Sequence, residues 1–393
     1  MSFRDKNRQY AIGLESAPGT DATPNAATDA VKIEPTKVGK NFETVDTSTE
    51  TTGSLSASNP IPAGGFVTAP VSSFLRSNGA PGTSGPKVGR FLQAGACSET
   101  LLAAAVANTA QAGSSSTIQL HAGASSVTDI YKGMVIRTTA GTGPGQMRVI
   151  TAYNGTTKNA SVYPNWSVNP ASDTEFSIEA CALYRPVSSG LKAASFYQWE
   201  HHNDASENSI LTKLIGAMGS VGIEIPVRQP AKLTTQLRGL FPAASTDVSK
   251  PAAPVADEAN PPLFMGADAY LGGTAVKFNR FMLNFGLSIE QFDNPAAEFG
   301  YDPADVVARK VTFELNPQRT HVATRDAMSD FLNGTSRMIW LRWGKTAGHR
   351  FSLFVPGGQY ESPPEEDTVR GLTAERLKGQ ATGRDAEFFL AAF

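Results

Sequence analysis

Three glycines at alternate positions, Gly141, Gly143 and Gly145, are the first residues of this chain whose spacing suggests chemistry. A phosphate-binding loop needs a helix N-terminus directly behind its glycines, so that free backbone N–H groups and the helix dipole meet the anion. Here the glycines are followed by Gln146-Met147-Arg148-Val149-Ile150-Thr151, which is strand-like and has no Lys-Ser or Lys-Thr pair. A hairpin turn fits better. A second group is Glu200 with His201, His202, Asn203 and Asp204. Adjacent residues on an extended chain point to opposite sides, so the two imidazoles rarely reach one ion. His121, His321 and His349 lack a companion at the spacing of an HExxH helix. A polar loop is expected at 200–204. The third group, Glu361, Glu365, Glu366 and Asp367, surrounds Pro363 and Pro364. Paired carboxylates cleave glycosides only at a set separation across a cleft, and a solvated acidic loop is the simpler reading. No GxSxG elbow is present, and Cys97 has no flanking catalytic signature. No catalytic, cofactor-binding or metal-ligating residue is therefore nominated, no cofactor is expected, and the chain reads as a non-enzyme.

The elements around these groups are short and strand-like. Residues 1–30 are polar, rich in Ala, Thr, Asp and Pro, and read as an extended arm that orders only against a partner. From Val31 onward, β-branched residues and alternation predict strands, including Thr-rich extended sequence over 41–51 and a Gly/Pro/Ser loop over 59–65. Pro86 to Thr100 has helical spacing behind a proline suited to a first turn, which predicts a short helix. Residues 116–182 form a separate unit of short β runs, at 117–120, 134–138, 147–153, 160–163 and 176–179, spaced by turn residues. Strands are expected again at 195–199, 210–215, 220–227 and 231–240, then a Pro/Ala-rich linker over 243–262. Further strands fall at 276–285, 286–291, 309–315, 338–343 and 350–355. His321 to Asn333 reads as a helix with Val322, Met328, Phe331 and Leu332 as its apolar stripe and Gly334 as its cap. Phe281 and Phe285 would share one strand face, whereas Trp340 and Trp343 would not. The apolar ending Phe388-Phe389-Leu390 to Phe393 is expected to be tied down by burial.

Composition narrows the class. The 393 residues leave room for two or three domains and a sizeable core. Charged residues are 18% of the chain, below the roughly 25% usual for globular domains, while 36 glycines and 25 prolines describe a turn-rich chain. With 34 basic and 36 acidic side chains the net charge is −2, so there is no basic excess with which to grip nucleic acid. Cys97 and Cys181 match no CxxC pattern and are expected to be buried free thiols. The polar start has no apolar signal region, and no run approaches the ~18–20 apolar residues that span a bilayer. A soluble chain made in a cytoplasm is expected, with no membrane insertion.

Several segments resemble the tail-tube (major tail) protein family of tailed bacteriophages. Pro86-Lys87-Val88-Gly89-Arg90-Phe91-Leu92-Gln93-Ala94-Gly95-Ala96-Cys97 is similar to the short helix that this family places after its first strands. Trp199 to Val227, with Gly216-Ala217-Met218-Gly219 before an alternating strand, resembles its central strand pair. Arg350-Phe351-Ser352-Leu353-Phe354-Val355-Pro356, with Gln359 and Tyr360, is similar to its late strand, and Asp385-Ala386-Glu387-Phe388-Phe389-Leu390 to its last. Tyr131-Lys132-Gly133-Met134-Val135-Ile136 with 141–146 is similar to small β modules that recur inside virion proteins.

The resemblance implies a mainly β chain: a β-sandwich or half-barrel tail-tube domain with short helices over 31–115 and 183–393. An N-terminal arm over 1–30 and an inserted all-β domain over 116–182, projecting outward and dispensable for assembly, complete it. It further implies a structural role in the virion tail. Copies of the chain would form hexameric rings, stacked around a channel for DNA passage and stapled by the arm and long loops. Tape-measure and terminator proteins would be partners, and contact with DNA in the lumen transient and non-specific. The rival readings are another virion structural protein (a tail terminator, head–tail joining or decoration protein), a carbohydrate-binding or adhesin-like β module, and an enzyme such as a glycosidase.

Overall fold

One strand, Ser209–Pro226, organises the protein. Leu211, Leu214, Ala217, Val221, Ile223 and Ile225 are buried, while Lys213, Ser220 and Glu224 along the same strand are only partly covered. The alternation breaks at Gly216, whose φ of +58° is open to glycine at little cost. A Cβ there would also lie 2.9 Å from Pro303. At this bulge the strand changes neighbours. Residues 209–214 pair with Ala194–His202 and Thr246–Val248, residues 218–226 with Lys232–Leu240 and Phe278–Asn284, and the two ladders overlap at 215–217. Two strands were expected here, at 210–215 and 220–227. They are one, because a bulge turns the chain without ending the ladder.

The computed structural model describes residues 3–51, 53–204, 206–242, 245–255 and 259–393. Strands make up 48% of the chain and helices 3%, so the protein is mainly β, as expected, with several antiparallel sheets consistent with a sandwich. Outward from Lys232–Leu240 lie Ile61–Phe74 and then Gly39–Val45. Outward from Phe278–Asn284 lie Thr312–Pro317, Leu372–Ala381 and Phe351–Tyr360, the last flanked by Arg337–Trp343. Phe389–Ala392 pairs with Phe351–Tyr360 on one edge and Cys181–Pro186 on the other, which leads to Cys97–Leu102. The short helix Gly89–Ala94 falls within its predicted span and buries Phe91 and Leu92 in the main core.

A seven-stranded sheet runs in the order Val106–Thr109, Glu175–Ile178, Val135–Ala140, Met147–Asn154, Asn159–Tyr163, Thr117–Gln119, Ala112–Gly113. The sheet thus takes in two strands ahead of residue 116, and Cys181 already belongs to the larger sheet. Its core is not its own. Ile118, Ile136, Ile150 and Phe176 pack in one cluster with Trp340, Phe354, Phe389 and Phe393 from the larger sheet. Trp343 lies in the main core instead, so the two tryptophans do take opposite faces, and Phe281 and Phe285 share that main core.

Residues 3–14 depart from the expectation of an arm that orders only on a partner. Phe3–Leu14 is a strand paired with Ala194–His202, from Leu14 opposite Ala194 to Phe3 opposite His202. Tyr10 and Ile12 enter the main core, while Ala11 faces Tyr197 and Trp199. Only a short run here is apolar, and its partner lies some 180 residues downstream, beyond the reach of local periodicity. The helix expected over 321–333 is also corrected. It spans only Ala327–Leu332, capped by the Asp326 side chain on the Ser329 N–H. Of its expected stripe, Phe331 packs against the main core, while Val322 and Leu332, both 69% exposed, and Met328 stay in solvent. The final residues are buried, and Phe389–Ala392 is fully so.

Candidate functional site

Among the groups singled out by type and spacing, none converges on a common centre. Gly141, Gly143 and Gly145 have φ of +72°, +68° and +83° and turn the chain between Val135–Ala140 and Met147–Asn154. This is the hairpin that the following strand residues predict. His201 and His202 sit on a strand rather than in a loop and point apart. His201 is buried, with Nδ1 2.8 Å from Ser209 Oγ and Nε2 3.3 Å from Gln9 Oε1. His202 meets the Phe3 ring edge-on. Glu365, Glu366 and Asp367 lie on the strand Glu365–Val369, not in a loop. They face solvent or cations: Glu365 pairs with Lys378 and Glu366 with Arg319. The missed hairpin to Leu372–Ala381 turns on Arg370-Gly371, both with positive φ (53° and 78°). An Xaa-Gly pair between alternating runs was the available signal.

Cys97 and Cys181 are both buried free thiols. Burial pushes the Cys97 thiol far up, and pushes Cys181 up to about 12 with a smaller contribution from Glu179. Both stay protonated at neutral pH and are poor nucleophiles. His201 shifts the other way. Burial, then the charge of Lys250, lowers it from its ordinary 6.5. The folded imidazole therefore resists a proton that the unfolded one accepts, so stability is full above pH 6.5 and falls as pH drops through the lowered folded value. His201→Gln is expected to flatten that part of the profile. Thermal melts of both proteins between about pH 7.5 and pH 5.5 check this, and an identical decline in the two would show that His201 does not contribute.

Among the described residues, a hairpin leaves apolar side chains uncovered toward its tip. Gly39–Val45 pairs with the first part of Ile61–Phe74, from Gly39 opposite Thr68 to Val45 opposite Ile61. Its base is braced. Phe42 packs edge-on against Phe241 and Phe299, at 5.7 and 5.6 Å, and Lys40 lies 5.1 Å above the Phe241 ring. Toward the tip the support ends. Val45 is 52% exposed, Ile61 54%, and Leu55 fully exposed. Extended chain is expected over 41–51 and a loop over 59–65, yet the returning strand begins at Ile61. Pro62, Gly64 and Gly65 are loop-like residues, but this part of the strand pairs on one side only, where proline is tolerated.

No protein-family model matches the chain, and no curated protein is significantly similar to it.

Proposed function

We propose that this chain is a structural subunit of a bacteriophage tail tube, six copies forming a ring and rings stacking around a channel that passes DNA. The observation that carries the reading is the projecting hairpin with Val45, Leu55 and Ile61 in solvent. An element braced at its base and apolar at its tip gains from being covered by another molecule. In a ring, neighbouring copies would cover sheet edges that a monomer leaves open. A head-to-tail contact that does not close then extends into a tube. A net charge of −2 suits a conduit, since few counterions are released and DNA is not held. All four tryptophans are 5% exposed or less, so no indole face is presented for sugar stacking, which weighs against the carbohydrate-binding reading. In the tail of the virion, the tape-measure and terminator proteins would be its neighbours.

Electron microscopy of the purified protein tests this. Six-fold rings or stacked tubes with an open channel are the expected result. A uniform monomer that persists at high concentration and in varied salt would overturn it.

A further inference from the structure

The end of the ladder opposite the hairpin tip carries its chemical complement. Strand Ile61–Phe74 starts at the tip and ends with Phe74 opposite Lys232, beside the turn that holds Arg228. Fourteen residues separate the two ends, roughly 40–45 Å at strand rise. At the far end, three turns converge on a shallow groove of about 290 Å³. Arg228, Lys277 and Arg370 stand around it, all exposed. Phe278, Val369 and Leu372 supply an apolar floor, with Leu372 63% exposed. No carboxylate lines the groove, and among the described residues none of the three cations has an ion-pair partner.

The hairpin tip is the reverse. Residues 41–60 contain Glu43, Asp46 and Glu50 and no Lys or Arg. The three carboxylates are exposed, as are Val45 and Leu55 in the same segment. We propose that the groove of Arg228, Lys277 and Arg370 receives the acidic, apolar tip of the 41–60 hairpin from a second copy of this chain. Because tip and groove lie at opposite ends of one ladder, the contact is head-to-tail and leaves a free tip and a free groove on every pair. Carboxylates of one copy meet guanidinium and ammonium groups of the next, and Val45 and Leu55 cover the apolar floor. This inference rests on the tube reading and names the residues that join one ring to the next.

Charge reversal tests it on the full-length protein. Glu43→Lys/Asp46→Lys/Glu50→Lys reverses the tip; Arg228→Glu/Lys277→Glu/Arg370→Glu reverses the groove. All six side chains are exposed, and circular dichroism verifies that both variants fold. Each is expected to raise the concentration needed for tube assembly at least tenfold, about 1.4 kcal/mol, read by sedimentation. Combining both reversals in one chain is expected to restore assembly. A labelled cyclic peptide of residues 41–60 is expected to bind the wild type but not the groove variant, and to be released by ~0.5 M salt.

The outcomes separate the two readings. If the wild type assembles and neither reversal matters, the docking contact is wrong and the tube reading stands. If the wild type stays monomeric yet binds the peptide in a groove-dependent way, docking stands and the tube reading falls. If it neither assembles nor binds, both fall. Groove-dependent binding of a DNA oligonucleotide in place of the peptide would overturn the docking contact in favour of a phosphate ligand.

Discussion

Replacing residues 103–180 with a two-residue turn is expected to leave a chain that no longer melts cooperatively. Connectivity is not the obstacle. Leu102 pairs with Cys181 in the ladder of Cys97–Leu102 and Cys181–Pro186, so an Asn-Gly turn can close the gap. The obstacle is the shared core. Trp340 and Phe354 are 0% exposed, Phe389 and Phe393 2%, and all four belong to the cluster built around the excised sheet. Exposing a large apolar side chain costs about 1.5–3 kcal/mol, so four cost roughly 6–12 kcal/mol as an upper bound. A folded domain has only about 5–15 kcal/mol in total. Size-exclusion chromatography and thermal melts are the measurement. A shortened chain that stays monomeric and melts within a few degrees of the parent would show that the seven-stranded sheet is energetically independent. Adding Phe354→Thr and Phe389→Thr to the shortened chain is expected to recover part of its solubility. That partial rescue separates exposure from mere loss of residues. This outcome is opposite to what the family resemblance implies, in which the inserted unit at 116–182 is dispensable for assembly.

Glu15→Ala is expected to be the most damaging polar substitution. The Glu15 carboxylate is 6% exposed and is held by hydrogen bonds rather than by a cation. Oε1 accepts from Ser195 Oγ and from the Gly216 N–H, each at 2.7 Å, and Oε2 accepts from the Gly19 N–H at 2.7 Å. One side chain thus ties the end of the first strand to the bulge at which Ser209–Pro226 changes neighbours. Truncation leaves the buried Ser195 hydroxyl and the Gly216 N–H without that acceptor. At about 1–3 kcal/mol for each of these two stranded donors the loss is roughly 2–6 kcal/mol. Glu15→Gln is expected to fall between, because its amide N–H₂ faces a donor where an oxygen was. Urea midpoints with unchanged slopes read the difference. A Glu15→Ala midpoint indistinguishable from wild type would mean that water replaces the carboxylate without cost.

Much of the β content was legible in the residue order. The runs at 117–120, 147–153 and 160–163, the single strand face shared by Phe281 and Phe285, and the opposite faces of Trp340 and Trp343 all follow from a period of two. The turn at Gly141, Gly143 and Gly145 could be told from a phosphate loop by the strand behind it. What failed to show was whatever depends on a distant partner. The strand Phe3–Leu14 looks too polar to fold, until Ala194–His202 supplies its ladder. The stripe Val322, Met328, Phe331 and Leu332 has helical spacing, yet period alone does not say that Phe331 finds the core while the others face solvent.

The candidate docking groove lay outside sequence reasoning altogether. Arg228, Lys277 and Arg370 are about fifty and ninety residues apart along the chain. They meet only because antiparallel pairing of Ser209–Pro226, Phe278–Asn284, Thr312–Pro317 and Leu372–Ala381 brings three turns to one end of the ladder. The sequence by itself determined that this chain is built of short strands, carries buried thiols, and holds no excess of either charge. Tertiary structure decided which strands share a core, which apolar residues stay in solvent, and which charges stand together. Those depend on register between segments hundreds of residues apart, and a one-residue slip would send every side chain of a strand to the other face.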